Sequence, residues 1–231
     1  MMRLRVATTV LGAVLGGLAS AATAGSAQVA LVESVTGSSA GVQFLDYLEA
    51  GKLITLGPRD SIVISYMRSC VQETITGGIV RVGHEQSEVD SGQVRRSKLQ
   101  CDPGRVQLGE GTFTLAGTVL RGMSRQSGPA VVAEAAVTLY GASPMLELAA
   151  PGKVIIERID RPAERIVVDV TQGPLAHGSF YDFAQTGKSL AAGGVYRASF
   201  GAREMVFRID PLAKPGRTPI LGRLLRFVVP S

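Results

Sequence analysis

The chain holds two histidines, His84 and His177, and several acids close to one of them. A Ser-His-acid triad needs its nucleophile on a sharp elbow such as GxSxG, and the sequence has none. His84 stands next to Glu85, with Asp60 and Ser61 upstream, a combination that any chain of this length offers by chance. His177, between Ala176 and Gly178, reads as a loop residue. Two distant histidines without a third ligand cluster do not make a zinc site. Glu73, Glu85 and Glu88 suggest the paired carboxylates of glycoside cleavage, but such pairs sit in clefts with aromatic platforms. With no tryptophan in the chain, they read as strand charges facing solvent. Gly187-Lys188-Ser189 resembles the end of a phosphate-binding loop. That loop needs a glycine five residues before Gly187, where Asp182 stands, and a strand before a helix. No catalytic, cofactor-binding or metal-binding residue is assigned, no cofactor is expected, and the chain is read as a non-enzyme.

The two cysteines, Cys70 and Cys101, carry a more definite expectation. In an oxidising compartment an isolated pair is most simply a disulfide. It would close a loop of about 30 residues. A redox or metal pair needs close spacing such as CxxC, or further ligands, and neither is present.

The compartment follows from the start of the chain. Arg3 and Arg5 precede an apolar stretch, Val6 to Leu18, and then the small residues Ala19 to Ala27. This is the order of a secretory signal peptide, over residues 1–27. Cleavage before Gly25 and cleavage before Gln28 both satisfy the small-residue rule. The apolar stretch of about 13 residues is shorter than the roughly 20 that span a bilayer. No later stretch is long and apolar enough to do so, so the mature chain is expected to have no transmembrane span. The full chain has formal charge +5, and loss of Arg3 and Arg5 leaves +3. That modest balance, together with export, argues against a nucleic-acid partner.

Glycine is abundant, at 28 residues, and aromatic residues make up 5%, which suits short strands and many turns. Period-two alternation with β-branched residues predicts strands. Val29 to Val35 is the first. Lys52 to Leu56 ends at Gly57-Pro58, and Ser61 to Tyr66 follows. Val71 to Thr76 and Ile79 to Val82 flank a turn at Gly77-Gly78. Ser87 to Leu99 reads as a hairpin with Asp90-Ser91-Gly92 at its tip. Gln43 to Ala50 is expected as a short helix. After a flexible linker over residues 103–135, with Thr112 to Leu120 as an extra strand within it, Val137 to Tyr140 and Met145 to Leu148 read as strands. Lys153 to Ile159 and Arg165 to Val170 form a hairpin. Ser179 to Thr186 is expected as a helix capped by Gly187. Val195 to Phe200 and Glu204 to Ile209 complete the set, joined around Gly201-Ala202.

Within Leu48 to Val82 the pattern runs Glu49-Ala50-Gly51-Lys52-Leu53-Ile54, Leu56-Gly57, Asp60-Ser61-Ile62-Val63-Ile64 and Thr76-Gly77-Gly78-Ile79-Val80-Arg81-Val82-Gly83. It resembles the FecR-like domain of exported bacterial proteins. The segment Leu190-Ala191-Ala192-Gly193-Gly194-Val195-Tyr196-Arg197-Ala198 resembles the approach to a late strand of immunoglobulin-like and fibronectin-like sandwiches. The layout as a whole is similar to a group of exported bacterial proteins with no assigned activity. The resemblance implies a mainly β protein of two small β domains. These are a FecR-like domain at 28–102 and an Ig-like sandwich at 136–212, with a basic tail at 213–231. The FecR regulators cross the inner membrane and control a sigma factor. A cleavable signal directly before the domain departs from that plan, so the regulator role does not carry over.

The tail holds Lys214, Arg217, Arg223 and Arg226 with no acid after Asp210. Two readings stay open for it. It docks a partner or an anionic membrane surface, or it packs on the sandwich with its arginines in water. The function expected is interaction, sensing or scaffolding in the periplasm or outside the cell, with another envelope or membrane protein as partner. A cell-envelope enzyme with an unfamiliar site and a secreted surface component are the alternatives.

Overall fold

β-branched alternation does build strands here, and they run further than their glycine punctuation suggests. The computed structural model describes residues 27–102, 114–115, 135–161, 164–171, 175–217 and 219–228. Nearly all of the expected signal peptide and nearly all of the expected linker lie outside the described residues. The chain is mainly β. Among the described residues there is no α-helix, only a 3-10 turn at Ile220–Arg223.

The first sheet contains β1 (Gln28–Thr36), β2 (Tyr47–Glu49), β3 (Leu53–Tyr66), β4 (Val71–Arg81), β5 (Glu88–Asp90) and β6 (Gln93–Lys98). Its order is β2-β1-β3-β4, with β5 and β6 both on the far side of β4. Three expectations are corrected. Gly57-Pro58 does not end a strand, because β3 continues through it with an irregular register between Leu56 and Ser61. Gly77-Gly78 is no turn, because β4 passes through it. Asp90-Ser91-Gly92 is no hairpin tip. β5 and β6 do not pair with each other. They run one after the other, antiparallel to β4, with Ile79 opposite Asp90 and Thr76 opposite Gln93.

These three interruptions lie at one level across neighbouring strands, and together they let the sheet bend, as bulges do. Gly78 has φ +82°, and a methyl group there would meet the Asp90 carbonyl oxygen and, at 2.7 Å, the Gly92 nitrogen. Neither is a flexible side chain. Gly51 has φ +86° with open space around it. Gly78→Ala will therefore cost roughly 2–3 kcal/mol, combining left-handed strain with backbone displacement. Gly51→Ala will cost about 1 kcal/mol, from strain alone. Urea titration of both variants measures the difference, and equal costs would mean that the strands do not approach as described.

Further along lie β7 (Thr114–Leu115), β8 (Val137–Gly141), β9 (Met145–Leu148), β10 (Lys153–Arg158), β11 (Arg165–Asp169), β12 (Phe180–Asp182), β13 (Val195–Phe200), β14 (Arg203–Lys214) and β15 (Leu224–Phe227). One sheet has the order β11-β10-β13-β14-β7, with β8 parallel to β14. A second, of three strands, has the order β12-β9-β15. They face each other across a core of Val154, Ile156, Phe207 and Ile209 against Leu146, Phe183, Leu225 and Phe227. The β10–β11 and β13–β14 hairpins form as the alternation predicts.

Both expected helices are corrected. Ser179 to Thr186 contains strand β12, whose Phe180, Tyr181 and Asp182 are buried opposite Glu147, Leu146 and Met145. Aromatic residues with a sheet to join favour the strand over local helix preference. Gly187 does adopt the left-handed conformation, at φ +68°. In Gln43 to Ala50, Leu45 has φ +71°, and its amide donates to the Val32 carbonyl at 2.8 Å. The Gln43 amide donates to the Asp46 carboxylate at 2.7 Å. This loop delivers the chain to β2 instead of winding into a helix.

A third core cluster joins residues far apart in sequence. Leu31, Leu45, Met67, Cys70 and Cys101 pack with Met145, Phe180, Ile220, Leu221 and Leu224. The seam between the strand bodies is thus apolar at its centre.

Candidate interaction site

The residues singled out for chemistry lie in separate places. His84 is exposed on the turn between β4 and β5. His177 is exposed at φ +52° on the tight turn between Ala176 and Phe180. It borders a polar depression of about 550 Å³ shared with Ser38, Gln43 and Asp46. Glu85 and Glu88 are exposed, each 4.0 Å from a guanidinium, of Arg68 and Arg81 respectively. Glu73 departs from the expected strand charge facing water, because it is fully buried. Its carboxylate accepts the Ser87 amide at 3.1 Å and Arg96 Nε at 2.7 Å. Beside it the Tyr66 hydroxyl lies 2.7 Å from Ser87 Oγ, and burial pushes that hydroxyl up to about 12. Lys188 uses its carbonyl to accept the Ser143 hydroxyl at 2.7 Å. Among the described residues no group of three or more His, Cys, Asp or Glu side chains is placed to hold a metal ion.

Cys70 and Cys101 come together in disulfide geometry, with Cα atoms 5.8 Å apart. Both are buried in the seam cluster. The pair ties the end of β6 back to the turn after β3.

The tail is where the structure departs most from the sequence reading. Lys214 is the last residue of β14, and Arg217 is exposed beyond it. Arg223 and Arg226 do not extend into open water, and both are ion-paired. Arg223 is 2% exposed. Its guanidinium makes two bonds to the Asp182 carboxylate, at 2.6 and 3.3 Å, and one to the Ser143 carbonyl at 3.0 Å. Arg226 Nε donates to Glu147 Oε2 at 2.6 Å, and the Tyr47 hydroxyl donates to the same oxygen at 2.6 Å. The Arg226 guanidinium lies 4.5 Å from the centre of the Tyr47 ring. Burial first, and the Glu147 charge second, push the Tyr47 hydroxyl well above its usual range. The Leu221 amide donates to Glu33 at 3.2 Å. β15 lies parallel to β9, pairing Arg226 with Glu147. The tail is therefore a strap through the seam, held by buried ion pairs.

What the strap leaves open is a groove of about 370 Å³ at the seam. Lys98, Leu99 and Gln100 form one wall, Tyr140, Leu212 and Lys214 the other. Gly222 lies on the floor, where a methyl group would come within 2.7 Å of the Gln100 carbonyl. The β14–β8 register explains the second wall. Ile209 faces Leu139 and Lys214 faces Gly141, so β14 loops out between them. The Leu212 amide donates to the Asp210 carboxylate at 2.8 Å, which fixes the loop. Bulges re-aim side chains, and this one leaves Leu212 82% exposed. The sequence signal for it is Asp210-Pro211 within an alternating strand, a proline where a ladder donor belongs. Sequence reasoning missed Leu212, Tyr140, Tyr47 and Glu147.

Among the described residues no helix is long and apolar enough to cross a membrane. No family model matches the chain, and neither a curated protein nor a solved structure matches it.

Proposed function

We propose that the chain is an exported, non-enzymatic interaction protein of the bacterial envelope, serving as a sensing or scaffolding unit in the periplasm or outside the cell. The observation that carries this reading is the seam groove. The ion-paired strap lies at its floor through Gly222, and a bulge of β14 presents Leu212 to solvent beside Lys98 and Lys214. Export is supported by the N-terminal sequence pattern and by the cysteine pair. A division into a FecR-like domain and an Ig-like sandwich is supported by two facing sheets in the second half. It is also supported by the Tyr196 hydroxyl, which accepts the Ala191 amide at 2.9 Å. A tyrosine tied back to the backbone a few residues upstream is a feature of such sandwiches.

A photoreactive amino acid placed at position 212 and, as a control, at the exposed Val167 tests the reading in intact cells. One envelope protein cross-linked from position 212 and not from 167 is the expected result. Absence of any adduct specific to 212 would overturn it. So would a hydrolase or transferase activity of the purified protein that is lost on changing one polar residue.

A further inference from the structure

We propose that the groove is one end of a longer track, in which an acidic, extended segment of a partner protein adds as a strand to β6 and runs on into the groove between the Leu99 wall and the Leu212 wall. The proposal rests on the interaction reading above and names the chemistry of the partner.

Three observations converge. β6 is an edge: among the described residues it pairs with β4 on one side only. Five of its six residues are exposed. An unpaired row of backbone donors and acceptors is a template for strand addition. The edge also leads straight into the groove, because β6 ends at Lys98 and the next residues, Leu99 and Gln100, form the groove wall.

Charge selects the occupant. Arg95 and Lys98 stand on the edge, Lys214 lies across the groove and Arg217 beyond it, all exposed. Lys98 donates to a neutral partner, the Ser69 carbonyl. No carboxylate lies within ion-pair distance of these four cations among the described residues, whereas Arg223 and Arg226 are both paired. Of the acids nearest in sequence, Asp102 accepts the Thr138 amide and Asp210 the Leu212 amide, while Asp90 stands on β5 opposite Ile79. A second copy of β6 would set cations against cations, the usual defence of an edge strand. An acidic strand meets complementary charge instead. Leu212 then supplies an apolar contact for one of its side chains. Lipid headgroups share the charge but have no use for a backbone ladder.

The test uses the purified full chain and a fluorescent peptide of about ten residues, a length suited to a strand, built of alternating glutamate pairs and valine pairs so that both faces of the strand carry carboxylates. Its comparators are the same peptide N-methylated at alternate amides, a lysine-valine peptide, and phosphatidylglycerol vesicles. The acidic peptide is expected to raise its anisotropy at about 50 mM salt and to lose about tenfold in affinity near 300 mM. Arg95→Glu combined with Lys214→Glu will weaken binding by about tenfold or more, and Leu212→Ser will weaken it less. All three positions are exposed, so thermal melts will be unchanged. The N-methylated and lysine-valine peptides will not bind. Equal binding of the N-methylated peptide, indifference to the charge reversals, or binding to vesicles alone would each overturn the proposal. If the acidic peptide fails while position 212 still cross-links to a partner, the track falls and the interaction reading stands. If both fail, both fall.

Discussion

Replacing Arg223 by methionine will destabilise the fold by about 3–5 kcal/mol, the cost of breaking a buried ion pair from one side. That is a large part of the roughly 5–15 kcal/mol that holds a typical domain. The substitution leaves the Asp182 carboxylate, 6% exposed, without its two guanidinium bonds. It also removes the donor to the Ser143 carbonyl. Lysine will not rescue the site, because a point charge cannot reproduce a two-bond fork. The double variant Asp182→Leu, Arg223→Met will recover much of the loss, since an apolar pair removes the stranded charge. Recovery will be incomplete, because Asp182 also accepts the Ala184 amide at 2.8 Å. Urea unfolding of the four proteins in the cycle measures the coupling. A cost below about 1 kcal/mol for Arg223→Met, the range of surface pairs, would show that the strap does not occupy the seam.

Opening the disulfide is expected to cost about 3–4 kcal/mol, in the chain-entropy account of a loop of this size. Cys70 and Cys101 are separated by 31 residues and both are buried. Cys70→Ala with Cys101→Ala is the variant to use, because serine would bring two hydroxyls into the apolar cluster with Met67 and Leu221. Most of the loss arises in the unfolded chain, which gains freedom. The dependence on urea should therefore steepen along with the fall in midpoint. Adding reductant to the parent protein should reproduce the shift. An unchanged midpoint would mean that the pair does not close in solution.

Local pattern was enough for the strand content. Met205, Phe207 and Ile209 alternate in sequence and all three are buried. The cysteine pairing was legible because there were only two. Glycine was harder. Gly77-Gly78 and Ser91-Gly92 carry the same signal at a turn and at a bulge, since both places tolerate unusual φ or need the missing Cβ. Only cross-strand pairing tells them apart. The tail misled for a related reason. Arg223 looked unpaired because no acid follows Asp210, yet its partner Asp182 lies 41 residues earlier. The buried Glu73 was hidden in the same way, because its partner Arg96 lies 23 residues later on the neighbouring strand. The groove was invisible in sequence because three distant segments build it.

The strap has a consequence for how the molecule reaches its native state. Arg226 reaches the Gln28 side chain, 198 residues earlier, and β15 fills the seam beside residues of β1. The final pairing therefore closes almost the whole chain into one loop, and such long-range closure slows folding. Until the last strand docks, the apolar centre of the seam stays open to water and to other chains. The interval before that closure is when the protein is most exposed to aggregation.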